Sequence, residues 1–155
     1  MSLNELTLNP ARDRWFLGTR MHFHATADDT GGALTVVEQE MPEGFSPPRH
    51  VHAHEDGVLF VLEGALTVEI GAERRTVKAS ESVVLPKGVP HTFRAQVPSR
   101  ILEVSTPGGA DGFYVENGIP AERAGLPIPS PPDIPRLVES ARRRDVEIVG
   151  PPMDG

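Results

Sequence analysis

An all-β barrel or sandwich is the fold class that this sequence predicts, and three observations predict it. Short apolar runs, several with period-two alternation, recur between residues 14 and 106. The 15 glycines and 16 prolines are scattered, and before residue 110 they fall between those runs. No helical periodicity is visible before about residue 120. A chain of 155 residues suits one domain with a single core.

Residues 14–26 alternate, with Met21, Phe23 and Ala25 on one face and Arg20, His22, His24 and Thr26 on the other. One strand is expected there. Asp28 to Gly32 is a turn cluster. Residues 33–41 form the next strand, ended by Pro42 and Gly44. Pro47-Pro48 cannot donate ladder hydrogen bonds and marks an edge or a strand start. Residues 58–62 and 65–70 flank Glu63-Gly64 as a hairpin candidate, and a second hairpin turns at Gly71 to Glu73. Residues 82–85 are a short buried strand that stops at Pro86. Residues 91–95 and 100–106 continue the pattern until Pro107-Gly108-Gly109 breaks it.

The C-terminal part differs. Residues 125–135 are proline-rich and expected to be extended. Asp133 can cap a short helix over 134–144, with Pro135 in its first turn and Leu137, Val138 and Ala141 as its apolar face. Residues 146–149 read as a further strand or an extended arm. The division expected is a barrel over 1–118 and a tail over 119–155, packed on the barrel or on a partner subunit.

Composition excludes several functions. The formal charge of −7 argues against nucleic acid or an anionic membrane surface as partner. The absence of cysteine rules out disulfides, thiolate metal sites and cysteine nucleophiles. No apolar stretch approaches the roughly 18 residues of a membrane span. The first twelve residues lack a basic start followed by an apolar core, so a signal peptide is not expected. A cytoplasmic location follows as an expectation.

The chemistry concentrates between Gly44 and Gly64. His50, His52 and His54 alternate there. Strand side chains two apart share a face, with roughly 6–7 Å between their Cα atoms. His50 and His52 can therefore point into one cavity, as two imidazole ligands of a single metal must.

Residues 44–95 resemble the cupin superfamily. In its first motif, G-x5-H-x-H-x3/4-E-x6-G, Gly44, His50, His52 and Gly64 match in spacing. In its second, G-x5-P-x-G-x2-H-x3-N, Pro86, Gly88 and His91 match, while Ser80 and Ala95 replace the glycine and the asparagine. The flanking TGGALTVVE and RILEVSTPGG and the ending DVEIVGPP are similar to small single-domain cupins of quercetin-2,3-dioxygenase-like type. The resemblance implies an RmlC-like jelly-roll, a double-stranded β-barrel, here with a short C-terminal helix and an extended arm. It also implies a metal held by His50, His52 and His91. The ion expected is one divalent transition metal, Fe(II) first, with zinc, nickel or manganese as options, and no organic cofactor.

The sequence departs from the family at one ligand. Counting back from Gly64, the motif glutamate falls on Gly57. Asp56 is one residue off and Glu55 two off. Asp56 is a candidate fourth ligand if the His52–Gly57 segment bulges, since a one-residue slip otherwise turns a strand side chain to the opposite face. Three neutral imidazoles leave a divalent ion its full charge, which favours an anionic two-oxygen ligand such as an enolate, a diketonate or a catecholate.

His22, His24 and His54 are the candidate acid–base residues. The first pair could line the cavity or belong to a polar outer face. His54 could serve the metal or end an exposed strand. The Arg74-Arg75 and Arg142–Arg144 clusters read as solvated faces. The leading functional expectation is a three-histidine Fe(II) dioxygenase acting on an enolisable or phenolic small molecule (a diketone, flavonol or polyketide-like compound) with O₂, as a homodimer. One alternative is a cyclase or isomerase using zinc as Lewis acid or metal-free acid–base residues. Another is a non-catalytic ligand-binding cupin with a degenerate metal site.

Overall fold

The alternation over residues 14–26 builds two strands where one was expected. In the computed structural model, which describes residues 12–155, β1 (Asp13–Phe16) turns back at Leu17-Gly18 into β2 (Thr19–Ala25). Both turn residues have positive φ, 50° and 77°. This is the two-residue hairpin geometry whose twist matches that of paired strands. The predicted parity holds on β2: Met21 and Phe23 are buried and His24 is exposed. The signal-peptide expectation rests on the first twelve residues, of which 1–11 lie outside the described residues.

The next strands are β3 (Thr35–Met41), β4 (Arg49–His52), β5 (Asp56–Glu63), β6 (Ala65–Ile70), β7 (Glu73–Lys78), β8 (Ser82–Leu85), β9 (His91–Ala95) and β10 (Ser99–Thr106). Then follow α1 (Ala110–Asn117), β11 (Ile119–Pro120), α2 (Ile134–Arg142) and β12 (Val146–Gly150). They form two antiparallel sheets, in the orders β11-β1-β2-β3-β10-β5-β8 and β12-β4-β9-β6-β7. The fold is the expected all-β jelly roll.

The hairpin expected at Glu63-Gly64 is not one. β5 belongs to the first sheet and β6 to the second, so this corner carries the chain between sheets. Gly64 has φ +87°, and a Cβ there would stand 2.3 Å from Ser99 Oγ. The close approach lets Ser99 Oγ accept the Ala65 N–H at 3.2 Å. The hairpin expected at Gly71 does form, with Ile70 opposite Glu73.

Inward positions of both sheets make the core. Leu59, Val61 and Ile101 from the first sheet meet Leu66, Val68 and Phe93 from the second. Fully burying one such side chain contributes about 1.5–3 kcal/mol. A second cluster joins Phe16, Met21, Phe23 and Val37 to Leu137 of α2. The C-terminal elements therefore pack on the barrel of their own chain. β12 is hydrogen-bonded to β4, with Val146 opposite His52 and Ile148 opposite His50.

α1 was not expected. It is eight residues long and buries no side chain fully, so it leaves no periodic signature. Tertiary contacts hold it instead. Phe113 and Tyr114 meet Phe16 edge-on at 5.7 and 5.1 Å. Glu116 accepts from Ser140 Oγ at 2.7 Å and pairs with Arg143 and Arg144 of the α2 end. Arg142 and Arg143 are exposed, as the expected solvated face requires, while Arg144 is half-buried. α2 forms close to the predicted range, with Asp133 accepting the Arg136 N–H at 3.1 Å as its cap. Its buried residues are Leu137, Ser140 and Ala141 rather than Val138. Among the described residues, no helix is long and apolar enough to cross a membrane.

Candidate metal centre

Period two places His50 and His52 on one face of β4, and the register sets His91 of β9 directly opposite His50. Potential ligand atoms of the three residues all lie within 4.8 Å of one another. Ring centroids are 4.5 Å apart for His50 and His91, 5.1 Å for His50 and His52, and 5.5 Å for His52 and His91.

Each ring is held from behind at Nδ1. His50 donates to the Pro48 carbonyl at 2.7 Å and His91 to the Val89 carbonyl at 3.3 Å. His52 donates to Glu55 Oε2 at 3.2 Å. Carbonyls and carboxylates only accept, so these partners assign the proton to Nδ1 and leave Nε2 with its lone pair. Burial pushes His50 down to about 4, with His52 adding a smaller repulsion. Burial pushes His91 down to about 3, with repulsion from His50 and His52 behind it. Both are therefore neutral near pH 7, the form that ligates. Three neutral nitrogens with fixed tautomers, close enough to share one ion, fit a divalent transition metal.

No carboxylate joins them. Asp56, the candidate fourth ligand, is exposed and accepts the Lys87 N–H at 2.9 Å. The bulge that would redirect it does not form, because β5 keeps continuous register with β10 from Val61 to Asp56. Gly57 lies between Ser105 and Leu85, and a Cβ there would make ordinary contacts of 3.6 Å with Leu85 Cβ and the Val104 carbonyl. Glu55 reaches the centre only through His52.

The histidines open into a cavity of about 530 Å³. Its wall is mainly apolar, with Phe16, Met21, Phe45, Leu85, Phe93 and Phe113 among the lining residues. His54 stands at the exposed rim of this cavity, with Nε2 3.1 Å from Asp145 Oδ2. His22 and His24 do not line it. They share the outer sheet face, where His22 Nδ1 lies 3.0 Å from Asp13 and His24 Nε2 lies 3.0 Å from Glu38. Strand parity explains the correction: Met21 and Phe23 take the inward side of β2.

Three lining residues that the sequence did not single out bear on the chemistry. Glu103 faces the cavity from β10, Tyr114 from α1, and Phe113 beside it. The signal for Glu103 was available, since it shares strand parity with buried Ile101 and Ser105. Burial pushes its carboxyl up, while His52 pulls the other way. Burial, then the neighbouring Glu103, raises the Tyr114 hydroxyl.

A jelly-roll barrel thus carries three histidines that converge on an apolar cavity. Residues 37–105 match the cupin domain family, in keeping with the jelly-roll fold. The chain is 23% identical over 142 residues to quercetin 2,3-dioxygenase of Bacillus subtilis, covering 90% of this chain and 42% of that protein. It is 29% identical over 75 residues to the tetracenomycin polyketide synthase protein TcmJ of Streptomyces glaucescens, covering 47% of this chain and 49% of that protein. The chain thus spans less than half the length of either curated relative. Among solved structures, KdgF from Halomonas sp. superposes with a TM-score of 0.59 at 23% identity, covering 68% of this chain and 96% of that one.

Proposed function

We propose that this chain is a metal-dependent cupin enzyme acting on an enolisable or phenolic small molecule, by dioxygenation at a three-histidine Fe(II) centre formed by His50, His52 and His91. One observation carries the reading: three Nε2 lone pairs converge on an apolar cavity with no carboxylate among them. A divalent ion held there would act as a Lewis acid toward the oxygens of an anionic substrate and leave positions open for O₂. The Nδ1 acceptors Pro48, Val89 and Glu55 orient the rings. The phenylalanine-rich wall excludes water from the reacting region. Both oxygen atoms of O₂ enter the product. The similarity to quercetin 2,3-dioxygenase supports this chemistry.

The similarity to a polyketide synthase protein favours a second reading, non-redox Lewis-acid chemistry with zinc on a polyketide-like substrate. The metal-free version of that reading loses support, since His22 and His24 face away from the cavity. Metal analysis of tag-free protein separates the two. Iron near one per chain, with O₂ uptake on a panel of β-diketones and flavonols that His91→Ala abolishes, is expected. Zinc without O₂ uptake supports the second reading. Protein without bound metal, unaffected by chelator, overturns both.

A further inference from the structure

Nearly every polar side chain around the cavity has a partner within the protein. Gln39 donates to Thr19 Oγ1 at 3.0 Å. The histidines bond as described, His54 pairs with Asp145, and Arg144 pairs with Glu116. Glu103 and Tyr114 are the exceptions: neither side chain has a hydrogen-bond partner among the described residues, yet both line the cavity. Glu103 enters that cavity from β10 and Tyr114 from α1, so the two face one shared space. Both are half-buried, and polar groups that face an apolar cavity without a protein partner offer their hydrogen bonds to whatever occupies it.

We propose that Glu103 and Tyr114 form a hydroxyl-recognition subsite, which selects substrates carrying a second hydroxyl group in addition to the oxygens that engage the histidine centre. A hydroxyl is the complementary group. It donates one hydrogen bond and accepts another, so it can donate to the Glu103 carboxyl and accept from the Tyr114 O–H. A lone carbonyl could only accept, and an alkyl group would leave both residues unpaired. The β10 strand fixes Glu103 between Val37 of β3 and Leu59 of β5. The edge contact with Phe16 fixes the Tyr114 ring. The pair is therefore set on rigid elements. The substrate class this implies is a largely apolar ring compound with polar groups at two places: an enolic or phenolic oxygen for the histidines and a separate hydroxyl for this pair.

The inference rests on the proposed phenolic substrate, and the test keeps the two apart. The probes are 3-hydroxyflavone and its derivatives with one further hydroxyl at position 5, 7 or 4′. Affinities are measured by calorimetry on zinc-loaded and metal-free protein, for wild type, Glu103→Leu and Tyr114→Phe. At least one dihydroxy probe is expected to bind wild type about tenfold more tightly than 3-hydroxyflavone. That ratio should fall to within about twofold of unity in either variant. Glu103→Leu should also melt at a higher temperature than wild type, because it replaces a half-buried carboxyl without a hydrogen-bond partner by an apolar group of similar size in an apolar wall. No hydroxyl-dependent gain at any position, including no binding at all, overturns the subsite. A gain that survives both substitutions overturns it too, as does a lowered melting temperature in Glu103→Leu, which would mark a structural role. Should Glu103→Leu fail to fold, the ratio in Tyr114→Phe decides. A 3-hydroxyflavone affinity that is equal with and without zinc sinks the metal-centred reading instead, and leaves the hydroxyl ratio to judge the subsite separately.

Discussion

Glu55 Oε2 lies 3.2 Å from Nδ1 of His52, so a carboxylate does belong to the histidine cluster, behind one ring rather than beside the three. Its negative charge strengthens the His52 imidazole as a donor and fixes its tautomer. Glu55→Gln keeps the shape and removes the charge. Metal affinity should fall about 10- to 100-fold. Competition against a chelator of known affinity measures it, and an unchanged affinity would show that the contact is incidental.

Position 57 offers the complementary change. A Cβ fits there at ordinary contact distance from Leu85. Gly57→Glu should add an anionic ligand and tighten metal binding by at least about one order of magnitude, the size of one 1.4 kcal/mol interaction. It should also weaken diketonate binding, because the ion keeps less net charge for an anionic partner. Titration with acetylacetone reads the second effect. Tighter binding of both metal and diketonate would contradict the charge argument.

Acid should destabilise the metal-free protein through His50 and His91. Their folded values, about 4 and about 3, lie below the ordinary 6.5. Between these limits the unfolded chain binds more protons than the folded one, so stability falls as the pH drops from 6.5 toward 4. Above 6.5 the contribution of these two groups is flat. Urea midpoints of metal-free protein at pH 7.5 and pH 5 check this, and the drop should shrink in His50→Asn. Metal should be lost over the same range, since protons compete for Nε2.

Two packing predictions concern the frame. Leu66 is fully buried between the sheets, and Leu66→Ala should cost about 2–5 kcal/mol in urea unfolding. Glu116→Gln should leave the barrel intact and loosen its cover. Guanidinium hydrogen bonds, chiefly from Arg143, hold the Glu116 carboxyl down at about 2. Amide exchange should rise in α1 and α2 and stay unchanged in β5 and β10, as mass spectrometry can show.

Much of this protein is legible in alternation alone. Met21 and Phe23 turned inward as their parity requires, and His50, His52 and His91 met because two strand registers agree. Three things were not legible. Pairing partners depend on which sheet a strand joins, which is why the Glu63-Gly64 corner looked like a hairpin. Leu17 gave no turn signal, since a leucine at φ 50° is held there by the strands it joins. α1 rests on Phe16, Ser140 and two distant arginines, and a local window contains none of them. Glu103 is a different case: parity exposed it, but a charged residue in a strand reads first as an outward one.

β12 has a consequence for how the centre persists. The strand that carries His50 and His52 is four residues long, and its pairing with β9 is the single His50–His91 position. On its other side β12 pairs with it over its whole length. Without that cover the ligand strand would be a bare sheet edge, with unpaired amides and carbonyls open to a neighbouring molecule. The segment after α2 therefore acts as an edge guard. Loss of the last dozen residues would expose the histidine strand to self-association as well as loosening it, so metal retention and solubility should fail together.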